Sequence, residues 1–170
     1  MKPFFHAPAA RGFTLIELIM TLVIAGVVAA IGARILGTGF LTYFAGKEMA
    51  QDAAEGTLAV ERMTRDLRAI RSATAADLST MTSTAIAFVD ADGTSVSYAL
   101  AGGSLMRTQG GGPAQPLASN VSALDFKYLK NDGVSTAAVA TEVWYVSAAI
   151  TVTTTNATAT FRGTVNPVNF

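Results

Sequence analysis

Between Arg11 and Lys47 the chain carries only two charged side chains, Glu17 and Arg34, set in an otherwise apolar run. A water-soluble domain of 170 residues cannot bury so long a stretch on every side, so these residues belong in lipid or against other helices. Phe13 to Ala33 is 21 residues. As an α-helix they span about 31 Å, which matches the hydrocarbon layer of a bilayer. Glu17 is the anomaly. An ionised carboxylate at the bilayer centre costs about 2.5–3.5 kcal/mol, so an acid kept there calls for a partner. A cut between Gly12 and Phe13 supplies one: the freed α-amine, protonated near neutral pH, of the same chain or of a neighbour.

The residues ahead of the run set its orientation. Lys2 and Arg11 hold the leader in the cytoplasm while the remainder crosses, so the C-terminal domain faces the periplasm or the cell exterior. A secretory signal peptide would be cut after the apolar run, near Ala29 and Ala30, and would have no use for Glu17. An uncleaved single-span anchor fits the hydropathy but leaves Gly12 and Glu17 unexplained. Beyond Arg34 the chain stays apolar from Ile35 to Ala45, with Phe40, Leu41, Tyr43 and Phe44. That extension suits burial against other helices, or against the chain's own globular part. Glycines 26, 32, 37, 39 and 46 permit close helix approach, and Gly37 with Gly39 marks a place for a bend.

The octapeptide Arg11-Gly12-Phe13-Thr14-Leu15-Ile16-Glu17-Leu18 closely resembles the type IV prepilin family, whose leaders end in Gly before Phe-Thr-Leu-Ile-Glu. The resemblance implies that a prepilin peptidase cuts after Gly12 and methylates the amine of Phe13. It implies that Glu17 guides entry into a growing fibre by pairing with a terminal amine. The implied partners are other minor and major pilins or pseudopilins, an inner-membrane assembly platform with its cytoplasmic ATPase, and the lipid bilayer. No enzymatic activity and no cofactor are implied. The expected organisation is a leader over 1–12, a membrane-spanning and filament-packing helix over 13–46, and an extracytoplasmic domain over 47–170. The location is the bacterial inner membrane, single-pass, and then the filament.

From Lys47 the helix becomes amphipathic, with Val60, Met63, Leu67 and Ile70 at spacings of three and four forming a face that should lie on a sheet. Arg62, Arg65, Arg68 and Arg71 repeat every three residues, and the i,i+4 rule pairs Glu61 with Arg65 and Arg62 with Asp66. The helix is expected from Thr14 to Ser72, followed by a connection over Thr74 to Ser83. Short antiparallel strands are expected at Thr84–Val89, Thr94–Leu100, Ser104–Thr108, Val121–Leu129, Glu142–Thr153 and Ala157–Phe161. Asp92-Gly93, Gly102-Gly103 and Asn131-Asp132-Gly133 supply turns, and Gly110-Gly111-Gly112-Pro113 opens a loop. The result is an α+β, pilin-like subunit: one long helix whose second half packs on an antiparallel sheet. In this half, Glu61-Arg62-Met63 to Leu67-Arg68, Tyr98-Ala99-Leu100, Gly102 to Arg107 and Val121 to Tyr128 with the following turn resemble the J-type minor pseudopilins of type II secretion and the W-type minor pilins. A subunit of the filament's initiation or tip complex is the implied role.

Other chemistries find little support. Lys and Arg total 12 against 12 Asp and Glu, and removing Lys2 and Arg11 leaves 10 against 12. Such a balance lacks a nucleic-acid footprint, leaving the Arg62 to Arg71 face as the sole surface for a DNA-uptake pilin. There is no cysteine, and His6, the single histidine, lies in the leader, so a thiolate metal site and a mature His-based triad are excluded. Asp90 and Asp92 with Thr94 form a fragment of an oxygen-ligand calcium loop that lacks the later glutamate. Phe126, Trp144 and Tyr145 are expected as core or sheet-face residues. The competing class is a membrane-tethered extracytoplasmic binding or adhesion module that never polymerises.

Overall fold

The computed structural model describes residues 12–154, 157–167 and 169, so Lys2, His6 and Arg11 of the expected leader lie outside the described residues. The chain divides after Phe44 into two compact units. Helix α1, Leu15–Arg68, runs unbroken through Gly37 and Gly39. Its large apolar side chains from Leu15 to Phe44 are exposed on every side of the helix.

In the second unit α1 becomes one-sided. Val60, Met63, Leu67 and, just past the helix, Ile70 are buried as the three/four spacing predicts, joined by Gly56 and Ala59. The helix stops at Arg68, before the expected Ser72, because the next residues pair elsewhere. Arg71 N–H donates to Val89 O at 2.9 Å, Ala91 N–H donates to Ala69 O at 2.8 Å, and Ile70 bridges Asp90. The end of the helix is thereby sewn to the sheet.

Two antiparallel sheets form where one was expected. The first is a five-stranded meander of β1 (Leu78–Met81), β2 (Ala85–Val89), β3 (Ser95–Ala101), β4 (Ser104–Gln109) and β5 (Gln115–Ala118). The second is β6 (Val121–Leu129), β7 (Tyr145–Thr153) and β8 (Thr158–Val165). β1 falls in the stretch read as a connection, and β5 in the stretch read as a loop. Glu142, expected to open a strand, instead ends a short 3-10 turn over Ala140–Glu142, and the strand begins at Tyr145. Period-two burial holds for Ile86 and Phe88, Val96 and Tyr98, and Leu124, Phe126 and Tyr128. β7 lies between its two neighbours and buries Val146 through Ile150 on both faces, which accounts for its run of small and apolar residues. Trp144 departs from expectation: it is 40% exposed, just outside β7.

The corner between the sheets is held by α1. Asn120, with φ of 55°, donates from Nδ2 to Asp52 at 3.0 Å, and Ser119 N–H donates to Glu55 Oε2 at 3.1 Å. On the opposite flank β8 comes so close to the helix that only glycine fits at two positions. A Cβ on Gly56 would lie 2.6 Å from the Phe161 ring, and one on Gly163 would strike the Thr64 hydroxyl.

Candidate functional site: the helix start and the charged flank of the domain

Helix α1 begins two residues after the Gly12–Phe13 bond. Thr14 occupies the cap position: Leu18 N–H and Glu17 N–H both donate to Thr14 O at 3.1 Å, and the Glu17 N–H also approaches Thr14 Oγ1 at 3.4 Å. Thr14-Leu15-Ile16-Glu17 is therefore a capping-box sequence, with the acid at the third helical residue. A carboxylate in the first turn also meets the positive end of the helix dipole. The Thr-x-x-Glu spacing announces this helix start, which a sequence reading that assigned Glu17 only to a partner amine missed. Gly12 and Phe13 are exposed and lie outside the helix, and nothing described crowds Gly12.

From Leu15 onward α1 is long and apolar enough to cross a membrane, and its crossing window has no buried residue. A family model described as the prokaryotic N-terminal methylation motif matches residues 8–33. The chain is a type IV prepilin-like protein. None of the curated proteins matches it. The motif implies processing by prepilin peptidase and assembly with other pilins, and with the exposed apolar helix it fits an inner-membrane anchored subunit. Proteins of this family are structural.

The prepilin-like chain presents a second charged region on the far half of α1. Asp66 lies 32 and 41 positions before its two sheet partners: it accepts from Tyr98 Oη at 2.7 Å and from Arg107 Nε at 2.7 Å. Arg62 Nε stands 3.1 Å from the other oxygen without hydrogen-bond alignment. Burial, then the hydrogen bond to Asp66, pushes the Tyr98 phenol well up. Burial pulls the Arg107 guanidinium down, but its bonds to Asp66 and Tyr98 outweigh this and leave it raised. This network ties the helix to β3 and β4.

The four arginines thus separate. Arg62 belongs to Asp66, and Arg71 pairs with buried Asp77, whose carboxyl is held below its ordinary range by the Arg71 hydrogen bond and then by Ser72. The expected Glu61–Arg65 pair does not form among the described residues, so Arg65 and Arg68 remain open and the even stripe breaks up. Asp90 Oδ1 accepts from the N–H groups of Asp92 and Thr94 at 3.1 and 2.8 Å, which is the work of a turn. Among the described residues no group of three His, Cys, Asp or Glu side chains is arranged to hold a metal.

Proposed function

We propose that this chain is a minor pilin or pseudopilin, a building block of a type IV filament that acts where the filament is initiated. The observation that carries the reading is the methylation motif placed directly on a capped helix whose apolar side chains are exposed all round. Prepilin peptidase cuts between Gly12 and Phe13 and methylates the new amine, with the leader cytoplasmic and the domain after Lys47 extracytoplasmic. In the bilayer the apolar surface is covered by lipid, and on assembly it is covered by the helices of neighbouring subunits. Glu17 then pairs with a terminal amine as lipid is exchanged for a protein core of low dielectric. The loose likeness of the domain to J-type pseudopilins and W-type minor pilins supports the initiating role. Catalysis is no part of it.

Intact mass of the membrane-extracted protein tests the processing: 158 of the 170 residues should remain, beginning at N-methylated Phe13. Gly12→Val should leave the precursor uncut. Glu17→Ala separates a filament subunit from a tethered module, because it removes a charge that disfavours bilayer residence by about 2.5–3.5 kcal/mol. A tethered module keeps its membrane level and function. A filament subunit is cleaved and inserted normally but is lost from sheared filaments.

A further inference from the structure

The charges on the extracytoplasmic part of α1 are sorted by height and by side. Glu48 and Glu55 are exposed on the flank that faces the corner between the sheets, and Asp52 lies buried beside them. About three to five turns further on, another flank opens into a groove of about 840 Å³ between α1 and β8, lined by Arg65, Arg68 and Arg162 with Glu61, Thr64 and Gly163. All three arginines are exposed, and none has an ion-pair partner among the described residues. Lys47 does not dilute the acidic patch, because it sits about 100° round the helix from Glu48.

The two patches complement each other but cannot meet within one chain. At 3.6 residues per turn, the mean direction of Glu48 and Glu55 lies about 120° round the helix from that of Arg65 and Arg68, and the mean heights differ by about 22 Å. Copies anchored in one bilayer stand parallel, so patches that differ this much in height meet only when one copy is displaced along the axis, a head-to-tail contact that can propagate along a helix. We infer that the Arg65–Arg68–Arg162 groove receives the Glu48–Glu55 flank of a second copy of this chain, displaced along the filament axis. The inference rests on the filament reading and refines it: a subunit that stacks on its own copies starts a filament as a short run rather than as one terminal cap.

The chain has no cysteine, so introduced thiols are the only ones present. Two differently tagged full-length copies, one with Glu55→Cys and one with Arg68→Cys, are expressed together with the assembly machinery and treated with a short thiol–thiol cross-linker. A Glu–Arg contact sets the Cβ atoms too far apart for a disulfide. A product carrying both tags is expected. It should fall about tenfold when Arg65→Glu and Arg162→Glu are added to the Arg68→Cys copy, two reversed pairs near the upper range for exposed ion pairs. Glu48→Arg in the other copy should restore it. Because the altered arginines are exposed and unpaired, membrane level and protease resistance should not change. Absence of the mixed product, its indifference to charge reversal, or cross-linking of Arg68→Cys only to a different subunit overturns the contact. Recovery of wild-type chain in sheared filaments, measured in the same cells, reads the filament assignment separately: present without the mixed product, only the stacking contact fails.

Discussion

Among the described residues, Asp66 is the one acceptor that joins α1 to the first sheet through charge, and replacing it removes that link. In Asp66→Ala the buried Tyr98 hydroxyl loses the group it donates to, and Arg107, whose side chain is 12% exposed, loses its counterion. Breaking a buried pair from one side costs about 3–5 kcal/mol, and an orphaned buried hydroxyl about 1–3 kcal/mol. These do not add. Arg107 keeps Gln109 Oε1 at 2.8 Å and can still donate to Tyr98 Oη at 3.2 Å. Arg62, with a side chain 42% exposed, contributes a screened pair of at most about 1 kcal/mol. A loss of about 4 kcal/mol follows for Asp66→Ala, and about half of that for Asp66→Asn, which keeps an acceptor oxygen but no charge.

The assay is urea and thermal unfolding of a fragment beginning at Lys47, which should fold as a soluble domain of mixed helix and strand because the core residues of α1 from Gly56 onward travel with it. Asp66→Ala should lower the midpoint temperature by about 12–20 °C and shift the urea midpoint without changing the slope. Arg62→Ala should cost less than about 1 kcal/mol. If Asp66→Ala costs no more than Arg62→Ala, the carboxylate is solvated and the argument from burial is wrong. An unfolded wild-type fragment would refute the assignment of Val60, Met63 and Leu67 to this domain's own core.

Four further outcomes are expected. The Asp132 carboxyl is drawn down to about 2 by Ser135, whose hydroxyl and N–H it accepts, and by the Val134 N–H, so its NMR titration should have a midpoint near there and move upward in Ser135→Ala. Asp77 lies below its ordinary range in the folded state, so its contribution is present above the unfolded-state pKa and fades as pH falls through the folded one; Asp77→Asn should flatten the acid limb of a stability–pH profile. Gly163→Ala should destabilise the fragment by about 1–3 kcal/mol through the clash with the Thr64 hydroxyl, and Thr64→Ala should recover part of that loss. Gly56→Ala gains up to about 1 kcal/mol of helix propensity but drives a methyl into the Phe161 ring, so it should stabilise only when combined with Phe161→Ala.

What the sequence disclosed and what it withheld divide along the distance between interacting residues. The apolar run and the Val60, Met63, Leu67, Ile70 face are local patterns, and each stands where the spacing put it. The glycine turns are local too: Gly93, Gly102, Gly103 and Gly133 all have positive φ. β1 and β5 were missed because neither announces itself. Leu78-Ser79-Thr80-Met81 has one buried residue, and β5 contains Pro116, tolerated because β5 is an edge strand. The early stop of α1 has no glycine or proline behind it, only the backbone bonds to Val89 and Ala69 made possible by the sheet.

The charged flank shows the same division most sharply. Spacing alone made Glu61–Arg65 and Arg62–Asp66 equivalent i,i+4 pairs. The fold treats them differently because Asp66 points toward Tyr98 and Arg107, groups 32 and 41 residues away that give its charge a buried role and draw Arg62 after it. Glu61 and Arg65 face the groove beside β8, where water competes with their pairing and an exposed bond between them would contribute less than about 0.5 kcal/mol. A weak local pair left open is available to a neighbour. Arg65, which sequence spacing would have paired within the helix, is therefore one of the arginines that the fold leaves open to the groove.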